Sequence, residues 1–432
     1  MRAMTERPDG GALELSAQVQ DLDVRRRAGW LPMETAALEV WLTGHRQRVD
    51  ARGEHFPLHP VLVEFQQLID TDPVVRMYVH QMIEQVPHRK SYRKRHVYSV
   101  AELLQLINGV LMMAPEFGED AVVMPLGAVL DWMTGTPAGF AAFRDPRINA
   151  MLKKILTAWC SFLDSPDSLY VINDSPSGWK CPEARRVIGI DQFEHDEQDE
   201  HWGFRSWNDF FARRIKDGQR PVAAPDDDRV IVNPCESTPH RITTDVQRHA
   251  RFWVKSQHYS LQDMLANDAA VDEFVGGTVY QAYLTAMDYH RWHSPVAGTI
   301  VRAYIVPGTY FSEDVVEQWD AFAATDSQPY LTHVAVRSII LIQADNPAIG
   351  LVAEVTVGIG EVSSCILGAD IKPGHHVAKG DELGYFQFGG STHCLILRPG
   401  VVSEFALEAI PQPENPNPPT ILVRSALATA VS

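Results

Sequence analysis

The 432-residue sequence predicts an α+β protein with a helical N-terminal region followed by a β-rich domain. Two different patterns of apolar residues indicate this. Apolar residues recur at helical spacing from about residue 31 to 165, whereas short β-branched runs separated by glycines follow residue 229. We therefore divide the chain into a loose N-terminus (1–30), a helical region with a linker (31–200) and a β-rich domain (201–432).

Three segments of the first region carry the helical pattern. In PVLVEFQQLI the residues Leu62, Phe65 and Ile69 fall on one face, together with Leu68. The pair Asp72-Pro73 then predicts the start of a new helix. The same periodicity recurs in SVAELLQLINGVLMM and INAMLKKILTAWCSFL.

The second region alternates short apolar runs with turn residues. A linker with the acidic run DQFEHDEQDEHW precedes it, which closes the helical part at about residue 200. Close spacing of such runs is typical of strands in antiparallel sheets. The runs are RVIVNP, GTIVRAYIVPG, SIILIQAD, IGLVAEVTVGIG and THCLIL.

Charge and hydropathy limit the partners of this protein. The formal net charge is −17, so the average surface repels nucleic acid and anionic membranes. No stretch approaches the roughly 18 apolar residues that span a bilayer. We expect a soluble, cytoplasmic protein that binds neither nucleic acid nor membrane. The basic run HRKSYRKRH, residues 88–96, is either an anion or lipid-headgroup contact or, as we favour, a solvated face.

The five cysteines are widely separated and show no CxxC spacing. This argues against a disulfide framework and against a cysteine-rich zinc site, so the sequence predicts no metal.

A glycine pair precedes a hydroxyl pair at Gly389-Gly390-Ser391-Thr392. Glycines permit unusual backbone geometry and leave the Gly390 carbonyl open to attack by the hydroxyl of Ser391. Taken alone, these four residues are also typical of a plain turn before a strand.

Two histidines lie three residues apart in DYHRWHSP, at His290 and His293. Imidazoles titrate near neutral pH and suit proton transfer. They can equally be buried structural histidines. A metal site is a weaker alternative, because no third ligand lies near them in the sequence.

A third motif, NPCES, places Glu236 in an apolar strand-and-turn context. Such a carboxylate can orient a histidine and raise its basicity, or it can be an ordinary turn residue.

Together, the ordered set of acid, histidine pair and serine resembles the phosphatidylserine decarboxylase family. The resemblance covers roughly residues 205–400 and includes WNDFFAR, PGTYFS and the long KGDELGYFQFGGST run. The helical region, with AGWL, DPVV and TPAGF, resembles a soluble fungal subgroup that includes an L-tryptophan decarboxylase.

The resemblance implies that the chain is a zymogen. Ser391 attacks the Gly390 carbonyl with His293 as base, and His293 is oriented by Glu236, where the family usually has aspartate. The resulting ester eliminates and hydrolyses to a pyruvoyl group at position 391. Residues 1–390 and 391–432 then stay associated as two chains.

The resemblance also implies the reaction. The pyruvoyl ketone forms a Schiff base with an amine substrate, and His290 protonates the product after loss of CO₂. No pyridoxal phosphate is required. We expect a free L-amino acid as substrate, aromatic and tryptophan-like, with Tyr310 and Phe311 either flanking its ring or only packing the core.

Three alternatives remain. The first is a true phosphatidylserine decarboxylase that makes phosphatidylethanolamine. The second is an uncleaved, non-catalytic β-rich binding module. The third is a zinc hydrolase that uses His290 and His293. The sequence does not predict the oligomeric state.

Overall fold

The structure of the protein is a computed structural model. The predicted loose segment 1–30 lies outside the residues that it describes, as does the basic run 88–96 except for His96. The described residues are 31, 35–53, 56–86, 96–118, 122–250, 259–312, 327–361, 365–415 and 418–431.

Helices dominate the chain up to residue 211, and several begin at a proline that follows a capping side chain. Asp72 caps the helix that starts at Pro73 by accepting hydrogen bonds from the amides of Val74 and Val75, which confirms the predicted restart. Proline fits the first turn because its missing N–H has no partner there in any case. The longer helices are α1 (Thr35–Asp50), α2 (Pro60–Thr71), α3 (Pro73–Glu84), α4 (Val100–Val110), α5 (Pro125–Thr134) and α7 (Pro146–Leu163), and the shorter ones are α6 (Pro137–Ala142), α8 (Pro182–Ile188) and α9 (Trp207–Phe211).

The apolar faces of these helices meet in one core. Helix α2 buries Leu62, Phe65 and Ile69, as its periodicity predicts, while Leu68 stays partly exposed. Single-turn 3₁₀ segments at Pro166–Val171 and Ile190–Gln192 connect α7 and α8 to the chain that follows.

Strands begin at residue 230 and form three antiparallel sheets in the described chain. Three more helices lie among them: α10 (Leu261–Met264), α11 (Val271–Phe274) and α12 (Gln328–Val334). The strands are β1 (Val230–Val232), β2 (Thr238–Thr244), β3 (Thr278–Leu284), β4 (Arg291–His293), β5 (Gly298–Val306), β6 (Arg337–Ala344), β7 (Leu351–Ile359), β8 (Cys365–Leu367), β9 (His376–Val377), β10 (Glu382–Phe386), β11 (Gly390–Leu397), β12 (Val402–Phe405) and β13 (Ala426–Ala430).

The largest sheet has seven strands in the order β2-β3-β11-β7-β6-β5-β9. Two three-stranded sheets have the orders β1-β13-β12 and β4-β10-β8. Each face of the large sheet carries its own apolar core, so its central strands are buried on both sides. Helices before strands, with antiparallel sheets, confirm the α+β class.

The helical core extends to the edge of the β-rich part. Its cluster of buried residues includes Tyr289, Tyr310, Phe311 and Phe388, which all come from the chain after residue 230. The helical region therefore covers the part of the chain where the predicted site residues lie. Among the described helices, none combines the length and the hydropathy needed to cross a bilayer.

Candidate active site

Ser391 is the second residue of β11, a strand buried along its whole length. It pairs with Leu284 of β3 on one side and with Gly358 of β7 on the other. Its side chain is 1 % exposed, and its Oγ has no hydrogen-bond partner within the described chain. Buried hydroxyl groups are usually bonded, so this oxygen is available for another interaction.

The glycine pair before Ser391 shapes the start of the strand. Gly389 has φ of 135°, a conformation that side-chain-bearing residues rarely adopt. A Cβ added to Gly390 would lie 3.1 Å from the carbonyl oxygen of Ile359 and 3.5 Å from Met124 Sδ. Glycine is therefore needed for backbone conformation at 389, and a side chain at 390 would press on its surroundings.

The turn that carries DYHRWH leaves β3 directly beside Ser391, because Leu284 is both the last residue of β3 and the partner of Ser391. Buried Arg213 holds this turn through hydrogen bonds from Nη2 to the carbonyl oxygens of Met287 (2.8 Å) and Asp288 (3.2 Å). Burial lowers the pKa of Arg213 to about 10.

Asp288, in this turn, carries a perturbed carboxyl group. Burial raises its pKa to about 7, and the nearby Glu236 carboxylate acts in the same direction. Its Oδ2 accepts a hydrogen bond from the amide of Thr285 at 2.6 Å. The carboxyl group of Asp288 can therefore gain or lose a proton near neutral pH, within the turn that carries the two predicted catalytic histidines.

The ring of His290 is buried and stacks on Phe211, with ring centroids 3.9 Å apart and planes 25° apart. Phe211 in turn contacts Phe388, three residues before Ser391. Burial lowers the pKa of His290 well below its ordinary value, and the Arg213 charge adds to this. His290 is therefore neutral at physiological pH.

His293 lies in β4 and is also buried. Its Nδ1 bonds the carbonyl oxygen of Gly380 at 2.8 Å, and its Nε2 lies 2.9 Å from the hydroxyl of Tyr289. A carbonyl only accepts, so Nδ1 carries the proton and Nε2 accepts from Tyr289. Burial lowers the pKa of His293 to about 3, with Arg424 acting in the same direction. The unprotonated nitrogen of His293 is thus Nε2, and the Tyr289 hydroxyl donates to its lone pair.

Glu236 is buried, but its carboxylate faces Arg220. The pair is bidentate, with Arg220 Nε 2.9 Å from Oε2 and Nη2 3.0 Å from Oε1. Within the described chain, no hydrogen bond joins Glu236 to His293, although the amide of His293 bonds the carbonyl of Pro234 nearby. A guanidinium group can donate two parallel hydrogen bonds to a carboxylate, whereas an imidazole can donate only one. This explains why Glu236 pairs with Arg220 and not with His293.

The helical region reaches the Gly389-Gly390 pair through Met124 and the start of α5. The Met124 side chain lies close to both Gly360 and Gly390. Buried Glu361 accepts a hydrogen bond from the amide of Gly127, in the first turn of α5. Burial raises the pKa of Glu361 well above its ordinary value, against the effect of the Gly127 and Leu126 amides. Its Oε2 has no hydrogen-bond partner in the described residues.

Tyr310 and Phe311 lie in a buried loop against the same helices. Asn149 Oδ1 of α7 accepts from the Tyr310 amide at 3.3 Å, and the Phe311 ring lies 6.1 Å from that of Phe143. A Cβ on Gly360 would lie 3.7 Å from Phe311 Cε1, which puts this ring near Met124. Both residues pack in the core, and Phe311 lies near Met124, whose side chain is also close to Gly390.

The fold thus places the predicted serine next to the turn of the two histidines and beside the loop of Tyr310 and Phe311. It does not join Glu236 to His293. Sequence reasoning missed four residues: Arg220, Asp288, Met124 and Glu361. Only Asp288 carried a signal, because it opens the DYHRWH motif.

Two family profiles match this chain. Both describe phosphatidylserine decarboxylase, one over residues 59–188 and the other over residues 207–412. The matches include the helical region as well as the β-rich part.

Similar proteins are decarboxylases too. Decarboxylase iboD of Amanita muscaria is 40% identical over 307 residues, which is 66% of this chain and 87% of that protein. L-tryptophan decarboxylase of Psilocybe cubensis is 33% identical over 400 residues, or 86% of this chain and 88% of that protein. Phosphatidylserine decarboxylase proenzyme 3 of Schizosaccharomyces pombe is 34% identical over 46% of this chain and 20% of its own length. The chain is a carboxy-lyase that belongs to the phosphatidylserine decarboxylase family and resembles its fungal L-tryptophan decarboxylases.

Proposed function

We infer that this protein cleaves itself between Gly390 and Ser391, acquires a pyruvoyl group at residue 391 and decarboxylates a free aromatic L-amino acid. The observation that carries the proposal is the buried hydroxyl of Ser391, unbonded within the described chain and two residues after Gly389, whose φ is 135°. Members of the family to which the chain belongs include proenzymes.

The residues around Ser391 fit the formation of such a group. Attack by Oγ on the Gly390 carbonyl carbon needs an unhindered carbonyl, which the two glycines leave. It also needs a base that is neutral at physiological pH, and both buried histidines meet this requirement. In the proposal the carbonyl of Gly380 fixes the Nδ1–H of His293, the Tyr289 hydroxyl turns away from Nε2, and Nε2 then removes the serine proton.

Once formed, the pyruvoyl group supplies an electron-withdrawing ketone for an amine substrate that loses CO₂. The remaining chemistry belongs to side chains. His290, neutral at rest, takes up the proton that the ammonium group of the substrate releases and delivers it to the product, and its stacking on Phe211 fixes the plane of the ring. Met124 and Phe143, at the ends of helices α5 and α6, lie close to Phe311 beside this site, and such packing limits the access of water.

The same enclosure supports a small substrate. Asn149 of α7 accepts a hydrogen bond from the Tyr310 amide, and the Met124 side chain lies close to Gly390. The helical region therefore lies along the approach to Ser391. An aromatic amino acid brings a ring that Phe311 and Met124 can contact, whereas a diacyl lipid needs an open path for its tails. The similarity to L-tryptophan decarboxylase covers nearly the whole chain and supports the same choice.

Intact-mass spectrometry of the purified protein tests the cleavage. We expect two chains, 1–390 and 391–432, with a pyruvoyl group blocking the second. Ser391→Ala should remain one chain, whereas the control Ser403→Ala, at an exposed position in β12, should cleave normally. An intact wild-type chain that still releases CO₂ contradicts the proposal.

A substrate panel tests the specificity. We expect turnover of free tryptophan or a related aromatic amino acid, and none of vesicles containing phosphatidylserine. His290→Ala should cleave and lose turnover, whereas His376→Ala, an exposed control, should keep both. Turnover of the vesicles alone would establish the phosphatidylserine decarboxylase alternative.

A further inference from the structure

A second group of reactive side chains lies inside the β-rich part, apart from the serine and the histidine pair described above. Cys235 precedes β2, Glu354 lies in β7 and His393 lies in β11. Each offers one potential ligand atom, and these atoms all lie within 4.8 Å of one another. The three side chains are fully buried. No sequence motif indicates this group, because the residues come from three distant segments.

The group contains polar atoms that the protein leaves unsatisfied. His393 Nδ1 lies 3.0 Å from Glu354 Oε1, and its Nε2 lies 3.1 Å from Ser237 Oγ. Glu354 Oε2, however, has no hydrogen-bond partner in the described part of the chain, and neither has the hydroxyl of Tyr280. Buried polar atoms without partners are rare in native proteins and call for an explanation such as an ion.

Tyr280 belongs to the same group. Its side chain is fully buried, and its ring centroid lies 6.0 Å from that of His393. Burial raises the pKa of its phenol, and the charges of Cys235 and Glu354 act in the same direction. Tyr280 thus adds a buried, unsatisfied hydroxyl on a ring that neighbours His393.

We propose that Cys235, Glu354 and His393 bind one zinc ion, with the Tyr280 hydroxyl or a water molecule in the fourth position. Sulfur, imidazole nitrogen and carboxylate oxygen are the three ligand types that zinc takes from proteins, in a tetrahedral arrangement. Ligand atoms in such a site are about 3.3–3.8 Å apart, as follows from zinc–ligand bonds of about 2.0–2.3 Å. Atoms that already lie within 4.8 Å reach this spacing through side-chain rotation.

The charges also fit a divalent cation. A thiolate and a carboxylate carry two negative charges, which one Zn²⁺ neutralises, while His393 binds as a neutral ligand. A bound cation supplies the compensation that two negative charges require in this interior.

A metal ion here would connect three segments of the chain: strands β7 and β11 of the large sheet and the residues just before β2. Cys235 leads into the outer strand β2, while His393 and Glu354 lie on the adjacent central strands β11 and β7. The proposed ion is therefore structural, since all three of its side chains are fully buried. The sequence alone predicted no metal, and the proposal departs from that expectation.

The test is the metal content of the full-length protein, made in zinc-supplemented medium and passed through a desalting column with EDTA. We expect about one zinc per chain, as in structural zinc sites. Cys235→Ser should reduce the zinc to the level of the buffer. Cys394→Ser is the matched control, because Cys394 is equally buried but lies on the opposite face of β11, and it should keep the zinc.

Cobalt provides a readout that needs no variant. Wild-type protein loaded with cobalt chloride should show a thiolate-to-cobalt charge-transfer absorption, with the d–d bands of a tetrahedral site. Zinc that stays bound in Cys235→Ser is adventitious and overturns the proposal, as does a zinc-free wild type without the cobalt absorption. The hydrogen-bonded chain from Glu354 through His393 to Ser237 would then be the whole role of the group. Neither result depends on cleavage at residue 391.

Discussion

The buried pair of Arg220 and Glu236 yields a quantitative prediction. Their side chains are 5% and 10% exposed, and the two hydrogen bonds of 2.9 and 3.0 Å are bidentate. Arg220→Met leaves the carboxylate buried without its partner, and breaking such a pair from one side costs about 3–5 kcal/mol. We expect the free energy of unfolding to fall by about this amount.

Urea denaturation followed by tryptophan fluorescence measures the effect, in a Ser391→Ala background so that every sample is a single chain. Arg229→Met is the matched control. Arg229 pairs with Asp227 through side chains that are 48% and 36% exposed, and such surface pairs contribute about 0–1 kcal/mol. Arg220 also donates from Nη1 to Gln192 Oε1 and to the carbonyl of Gln219, so the difference between the two variants reports the buried ion pair together with these two bonds.

The double variant Arg220→Met/Glu236→Leu sharpens the result. Replacing both partners with apolar groups removes the unpaired charge, so the stability should recover most of the loss caused by Arg220→Met. The reasoning is refuted if Arg220→Met destabilises no more than Arg229→Met, or if the double variant is the least stable of the series. Either outcome would mean that Glu236 has another partner.

Four further predictions follow from single residues. Gly389→Ala should slow self-cleavage and destabilise the chain by about 1–3 kcal/mol, measured by gel electrophoresis and denaturation, because φ of 135° strains any side chain. Glu361→Gln should keep the thermal midpoint near that of the wild type, whereas Glu361→Ala should lower it, since the buried group acts as an uncharged cap. Burial lowers the pKa of His293 to about 3 in the folded protein, below its unfolded value, so the free energy of unfolding falls as the pH drops below about 6.5. His293→Gln removes this titration. In the Ser391→Ala chain, the variant should therefore lose up to about 2–3 kcal/mol less free energy of unfolding between pH 7 and 4.5 than the chain that keeps His293. Phe311→Ala should raise KM for tryptophan more than for a small amino acid, and equal changes would assign Phe311 to the core alone.

The sequence was informative where function depends on local order. The glycine pair, the serine and the two histidines lie in contiguous motifs, and the helix restart at Asp72-Pro73 follows from chain chemistry alone. The spacing of the apolar residues and the positions of the turn residues likewise predicted the change from helices to strands. All these features involve residues close together in the sequence.

Contacts between distant segments could not be predicted in this way. Met124 reaches Gly390 across more than half the chain, and Glu361 caps a helix that begins at Pro125. The expectation that Glu236 orients His293 came from the family resemblance, which carries no information about the competing guanidinium of Arg220 in this chain. Residue type and local spacing cannot decide between two partners when tertiary packing brings both within reach.

The position of β11 in the large sheet has a mechanical consequence. The proposed scissile bond lies at its first residue, yet the strand is hydrogen-bonded along its length to β3 and β7. A nick there leaves the shorter polypeptide threaded through the middle of the sheet, and β13 secures its far end against β1. Dissociation would require unzipping two ladders at once, so the nicked molecule should melt as one cooperative unit and reveal its pieces only in denaturant.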